Sequence, residues 1–229
     1  ISSEEALNAY ENYYGSRGLA DYDFSKAKAL VAIDADFLGD WQGGGYAKGY
    51  ATAKVPNKDH GKAEMLWHAQ FESNMSLSGA NADHRVPCTP GEQKNILAYI
   101  YDSFTGSSSS RTLSAALKEA ADKATKKLKA AGSDGVIVTG IEDEMAQSIV
   151  LAINTLLKSN AFQPESPKLI RQGNSAAAHK AFADIQSGAV KGLITVGVNP
   201  VFTTVNGSAL EESIKNLEFS LSFASKKDE

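Results

Sequence analysis

Apolar and polar positions alternate along this chain in blocks that switch between two periods. Residues 29–33 (A-L-V-A-I) form a short, wholly apolar run, the pattern of a parallel strand buried on both faces. The run ends in Asp34-Ala35-Asp36, followed by Gly39 and the triplet Gly43-Gly44-Gly45. Two later stretches repeat the design. Residues 136–139 (V-I-V-T) lead into Gly140-Ile141-Glu142-Asp143-Glu144, and residues 192–196 lead into Gly197-Val198-Asn199-Pro200. Polar and glycine residues just past the carboxyl end of a buried strand are where open α/β sheets bind ligands.

Between these junctions the pattern predicts further elements. A helix starts near Ser2-Ser3-Glu4-Glu5, runs through Leu7 and Tyr10, and stops at Gly15. Residues 42–61 read as loop with some helix around 46–51. Residues 65–71 read as a strand, 76–90 as turns with a short extended piece at 85–88, and Pro90-Gly91-Glu92 opens a helix through Ile100. Residues 105–110 (T-G-S-S-S-S) are the best linker. Beyond them, residues 113–130 carry leucine and alanine on one helical face and lysine on the other. Strand 136–139, helix 144–157, short strand 168–171, helix 176–186, strand 193–196, helix 210–216 and strand 217–223 then alternate, ahead of a charged, frayed tail at 226–229. This alternation indicates βαβ units and a mainly parallel sheet. The expected fold class is α/β, two Rossmann-like lobes flanked by helices, divided at residues 1–106 and 107–229.

Composition narrows the picture. A chain of 229 residues can bury a real core. The net charge of −4 gives no reason to expect nucleic acid or an anionic membrane as partner. No apolar run approaches the ~18 residues of a membrane span, so direct insertion is not expected. One cysteine and four scattered histidines supply neither the thiolates of an iron–sulfur cluster nor a structural zinc site. The opening Ile1 reads as the start of a processed chain or of a piece of a larger protein.

Each candidate site has an ordinary reading beside the chemical one. The glycine triplet is a flexible loop or a phosphate cradle, without the spacing of a P-loop or a dinucleotide fingerprint. Asp34 and Asp36 are polar strand-end residues or a carboxylate pair for a metal or a ribose hydroxyl. Cys88 has no histidine or basic neighbour to activate it and reads as a buried, inert thiol. Asp83-His84-Arg85 suggests acid–base work or a carboxylate accepting backbone hydrogen bonds. Gly197-Val198-Asn199-Pro200 either holds a nucleotide or turns the chain.

Taken together, several segments resemble a known family. The strand leading into Asp34-Ala35-Asp36, the stretch 71–92 (F-E-S-N-M-S-L-S-G-A-N-A-D-H-R-V-P-C-T-P-G-E), V-I-V-T-G at 136–140 and K-G-L-I-T-V-G-V-N-P at 191–200 follow the order of the molybdopterin oxidoreductases. A-D-F-L-G-D-W at 35–41 with the core of the second stretch is similar to the branch that carries an extended twin-arginine export signal. That branch includes the large iron–sulfur subunit of alternative complex III, a quinol-oxidising membrane complex.

The resemblance implies two lobes, each holding one guanine dinucleotide arm of a bis-molybdopterin cofactor. Asp34, Asp36, Glu72, Asn74, Ser78 and Asp83 would line one arm, with Gly91 and Gln93 at the guanine. Gly140, Gly197, Asn199 and Pro200 would line the other. Glu72-Ser73-Asn74 stands where the family often has Asp-Pro-Arg, so a phosphate-pairing cation is missing. The resemblance further implies iron–sulfur clusters elsewhere in a parent chain, a periplasmic location, and partners among the subunits of a respiratory membrane complex. Within these residues it implies no catalytic site, no metal, and a scaffold that has outlived its cofactor. The alternative is a working cofactor cradle in an active molybdenum oxidoreductase. A free-standing nucleotide-binding module is a third, weaker reading.

Overall fold

A computed structural model of the chain describes residues 3–56, 64–108 and 111–227. Ser2 of the first expected cap, the end of the 42–61 loop, Ser109 and Ser110 of the linker, and Asp228 and Glu229 of the tail lie outside the described residues. The chain divides into two compact units, Ile1–Gly173 and Asn174–Glu229.

In the first unit, α1 (Glu4–Tyr14) buries Leu7, Ala9 and Tyr10 and ends where Gly15 adopts a left-handed conformation. Next come β1 (Leu19–Tyr22), β2 (Ala29–Ile33), α2 (Ala47–Lys54), β3 (Trp67–Glu72), α3 (Leu77–Ala80) and β4 (His84–Pro87). They are followed by α4 (Pro90–Thr105), α5 (Ala115–Ala131), β5 (Gly135–Thr139), α6 (Glu144–Leu157) and β6 (Phe162–Lys168). Four strands form a parallel sheet in the order β4-β3-β2-β5. The chain leaves β2 for β3 and β4 on one side, then crosses back to β5 on the other. β2 and β5 therefore diverge at a topological switch point.

The period of two decides what each face of the sheet buries. Val31, Ile33, Ala69, Phe71 and Ile137 pack with Ile96, Leu97 and Ile100 of α4, Leu117, Ala121 and Leu128 of α5, and Ile153 of α6. Leu30, Ala32, Val136 and Val138 face the opposite way, into an aromatic layer of Tyr10, Tyr22, Phe24, Phe37, Tyr46 and Tyr50. Covered on both sides, β2 is buried at every residue, which is why its sequence runs apolar without alternation.

Three expectations change. The short strand expected at 168–171 is instead β6, which ends at Lys168 and pairs antiparallel with β1, a strand the pattern did not predict. Pro164 and Pro167 interrupt the apolar signal of β6, and proline is tolerated on such an edge strand. Residues 106 and 107 are not where the compact units part: β5 and its flanking helices complete the sheet begun by β2, so the boundary lies at Gly173–Asn174. The second lobe is correspondingly smaller.

That second unit contains α7 (Ser175–Gln186), β7 (Gly192–Val196), α8 (Pro200–Thr203), α9 (Gly207–Lys215) and β8 (Phe219–Phe223). β7 and β8 pair in parallel. Ile185 of α7 and Leu210 of α9 are its buried apolar residues, while Ile194, Val196, Phe219, Leu221 and Phe223 are exposed on the sheet. Among the described residues no helix is long and apolar enough to cross a membrane.

Candidate functional site

The switch point of the first unit opens into a crevice of about 220 Å³. Its floor is built from the ends of β2 and β5. Gly140 N donates to Ile33 O at 2.9 Å, and Thr139 Oγ1 donates to the same carbonyl at 2.9 Å. The two chain ends approach so closely that a Cβ on Gly140 would lie 2.0 Å from Asp34 O. Gly140 is therefore a packing glycine, needed for the contact between two strand ends.

Strand β2 stops at Ile33 because Asp34 takes a left-handed conformation, φ 57°. Asp34 and Asp36 consequently do not form the same-face strand pair that their spacing suggests. Asp34 Oδ1 accepts from Gln93 Nε2 at 3.0 Å, and Asp36 Oδ1 accepts from Ser78 N at 2.8 Å. Burial raises the Asp34 carboxyl above the ordinary carboxylate range; the Gln93 hydrogen bond opposes this, and the charges of Glu72 and Glu142 add to it. Gln93 and Ser78 thus lie beside the two aspartates, as partners that fix them. Ser78 Oγ also accepts from Leu38 N at 2.9 Å, which ties the loop after β2 to α3.

Of the remaining expected residues of the first arm, Glu72 and Asp83 are tied into the fold by their own partners. Glu72 is buried and paired with Arg85, and its carboxylate also accepts from the Ser76 hydroxyl. It packs against Gly79, where a Cβ would lie 1.8 Å from Glu72 Oε1. Asn74 is exposed in the turn after β3. Asp83 sits at the other end of β3, where it accepts from His68 N at 2.7 Å and pairs with Lys54 at 2.5 Å. Partial burial works against its charge, but the Lys54 and His68 N–H bonds hold its carboxyl below the usual range. Gly91 lies in the first turn of α4 with open space around its Cα. The glycine triplet is no open cradle. A Cβ on Gly43 would strike Ile170 Cδ1 at 2.1 Å, and Gly44 O accepts from Lys168 Nζ at 2.9 Å.

The residues expected at the second arm, Gly140 apart, lie in the second unit. Gly197 is left-handed and has open space around it. Asn199 Oδ1 accepts from Phe202 N at 3.0 Å and so caps α8, with Pro200 as its first residue. The Asn-Pro pair therefore turns the chain into a short helix.

No family model matches the chain, and no curated protein is similar to it at a significant level. Function must accordingly be argued from the site.

Among the described residues the crevice lining carries five carboxylates, from Glu5, Asp34, Asp36, Asp40 and Glu142, against one cationic side chain, Arg171. Arg171 Nη2 donates to Asp40 Oδ1 at 2.8 Å, so its charge is already engaged. Two other side-chain donors are committed inward as well. Trp41 Nε1 donates to Thr139 O at 3.0 Å, and Gln147 Nε2 donates to Ile141 O at 2.9 Å. Gln42 Oε1 is the opposite case: this buried acceptor has no partner among the described residues. The sequence pattern marked Asp34, Asp36, Gly140 and the acidic run after β5. It gave no signal for Gln42, which reads as one more polar loop residue, or for Arg171, which arrives from beyond β6.

Two further features complete the local chemistry. His68 is buried on β3, with Nε2 3.0 Å from Gln70 Oε1 and Nδ1 3.1 Å from the Tyr50 hydroxyl. Burial, with the Lys54 charge adding to it, pushes its imidazole down to about 4 against the opposing hydrogen bond to Gln70. Cys88 is buried, and that burial pushes its thiol up to about 12, with Glu92, Asp34 and Glu72 adding to the effect. It is not an activated nucleophile.

A guanine dinucleotide arm does not fit this crevice. Its diphosphate needs cations or free N–H donors. Here the guanidinium of Arg171 is paired, the Gln147 amide and the Trp41 indole are engaged, and carboxylates dominate the described wall. Among the described residues no cluster of His, Cys, Asp or Glu is arranged to hold a metal ion.

Proposed function

We propose that the chain is a molybdopterin-oxidoreductase-like domain of an exported, periplasmic electron-transfer subunit in a quinol-oxidising respiratory complex. In this reading it is a scaffold without a redox centre of its own. It packs against the rest of a parent chain that carries the iron–sulfur clusters, and against neighbouring subunits.

The observation that favours a scaffold over a cofactor cradle is the charge of the switch-point crevice. At the position where the family would hold a dinucleotide arm, five carboxylates and one paired arginine line the crevice among the described residues. Two ionised groups ~4 Å apart repel by about 4 kcal/mol in surroundings of intermediate dielectric. A diphosphate would meet several such terms. The side chains at the family's other positions, Glu72, Ser78 and Asp83, are occupied by Arg85, Leu38 N, and Lys54 with His68 N.

Two open positions favour the alternative of a molybdenum oxidoreductase with a bound bis-guanine dinucleotide cofactor. Gly91 and Gly197 both leave free space where family position would put the ligand. Metal and pterin analysis of the intact protein purified from its source separates the readings. Iron without molybdenum or guanine nucleotide is the expected result. Stoichiometric molybdenum with pterin would overturn the scaffold reading.

A further inference from the structure

Strand β8 reads Phe219-Ser220-Leu221-Ser222-Phe223, a strict alternation of apolar and hydroxyl residues. That pattern belongs to a strand with one buried face. Its register with β7 sets Phe219 opposite Gly192, Leu221 opposite Ile194 and Phe223 opposite Val196. Side chains alternate across a strand, so Ile194, Val196, Phe219, Leu221 and Phe223 share one face of the pair, and Leu193, Thr195, Ser220 and Ser222 share the other.

The two faces are used the opposite way round from what this alternation asks. Leu193 and Thr195 meet Phe182 and Ile185 of α7 and Leu210 and Ile214 of α9 around a cavity of about 250 Å³. Ser220 and Ser222 line the neighbouring groove with Ile214. The hydroxyls of β8 therefore lie on the side of the unit's own helices. The five apolar side chains of the other face are between 41% and 69% exposed. A parallel pair is normally covered on both faces, and a two-stranded sheet is marginal without a layer on its apolar side.

Charge and area point to a second copy of this chain as the cover. No position of the face carries a charged side chain, and at its margin Lys191 and Glu218 pair with each other at 3.4 Å. Two such faces can meet without the like-charge repulsion that keeps identical surfaces apart. A phenylalanine offers ~150–250 Å² and an aliphatic side chain somewhat less, so the exposed fractions amount to about 500 Å² per copy. Two copies together bury about 1,000 Å², the lower limit for a specific interface.

We propose that the outer face of β7 and β8 is a homodimer interface, in which two copies of the chain pack these sheets against each other across a two-fold axis. Such a contact uses the same patch on both copies and closes at two. Pairing along the free edges of β7 and β8 would instead continue from copy to copy. The inference is independent of the scaffold reading, because metal and pterin content do not bear on it.

The test is sedimentation equilibrium of the full chain over a range of concentrations, with hydrogen exchange followed in parallel. A reversible monomer–dimer equilibrium is expected, with a Kd of about 10–100 μM. The β7 and β8 amides should exchange fast in the dilute monomer and slow as the dimer forms. Val196→Glu and Phe223→Glu should each weaken association at least about tenfold. Both side chains are exposed in the single chain, so the variants should fold. Val205→Glu, equally exposed but off the sheet, should leave the Kd unchanged. A chain that stays monomeric up to about 1 mM leaves this face to a different protein and overturns the proposal. Association that ignores both sheet substitutions, or growth past the dimer through the strand edges, overturns it equally.

Discussion

Gly140 and Gly91 look alike as candidate cofactor glycines, yet they differ completely in what a methyl group would meet. Gly140→Ala places a Cβ 2.0 Å from Asp34 O, against backbone that cannot swing away. The substitution is expected to cost about 3 kcal/mol, read as a shift of the urea midpoint. Gly91→Ala meets open space in the first turn of α4 and should be neutral or stabilise by up to about 1 kcal/mol. Equal and large losses at both positions would mean that the close contact at Gly140 is not what fixes that residue. His68 carries a pH dependence at the same scale. In the unfolded chain it protonates near 6.5, and in the fold near 4. Between those values the unfolded state binds more protons, so stability falls as pH drops from about 6.5 to about 4, by roughly 3 kcal/mol in total. Urea unfolding at a series of pH values should show that slope, and His68→Gln should flatten it.

At the scale of elements, the helices were the easiest to anticipate, because their ends are written in local chemistry. Thr89 accepts from Glu92 N, and Glu92 Oε2 accepts from Thr89 N at 2.8 Å, a complete capping box ahead of Pro90. Thr89→Ala should cost about 1 kcal/mol, measured by denaturant unfolding; no loss would mean α4 is held by packing alone. Asp143 and Ser114 cap α6 and α5 in the same way, each accepting through its side chain from a first-turn N–H. β1 and β6 were illegible for a matching reason. β1 has four residues, and β6 contains two prolines, so neither carries an apolar alternation long enough to read. Their pairing joins residues more than a hundred apart, and only the folded chain brings them together.

The whole molecule consists of two compact units with unequal means of stabilisation. β2, central in a four-stranded parallel sheet and buried at all five residues, has apolar layers on both faces. β7 and β8 form only a two-stranded pair, with β8 exposed throughout. Two-stranded sheets are marginal by themselves, and local opening follows burial. Hydrogen exchange should therefore find the amides of β2 and β5 slowest, and those of β7 and β8 faster by orders of magnitude. Equal protection in the two sheets would mean that the second unit gains stability from burial beyond its own pairing. The scaffold reading belongs to this scale too, since it concerns what the domain packs against rather than any reaction it performs.

The sequence by itself determined the α/β class, the buried strand at 29–33, the long helices and the three glycine-rich strand ends, because periodicity and capping are local properties. It also marked Asp34, Asp36, Gln93 and Gly140 as residues that would matter. Tertiary structure alone decided what they do. A left-handed turn at Asp34 separates the two carboxylates, Gly140 closes the gap between strand ends, and Arg171 is drawn to Asp40 from across the chain. The crossover that adds β5 beside β2 moved the division between the units from 106 to 173. The same crossover gathered acidic residues from distant segments into one crevice. Charge excess and unsatisfied hydrogen bonds are sums over neighbours in space, and spacing along a chain does not contain them.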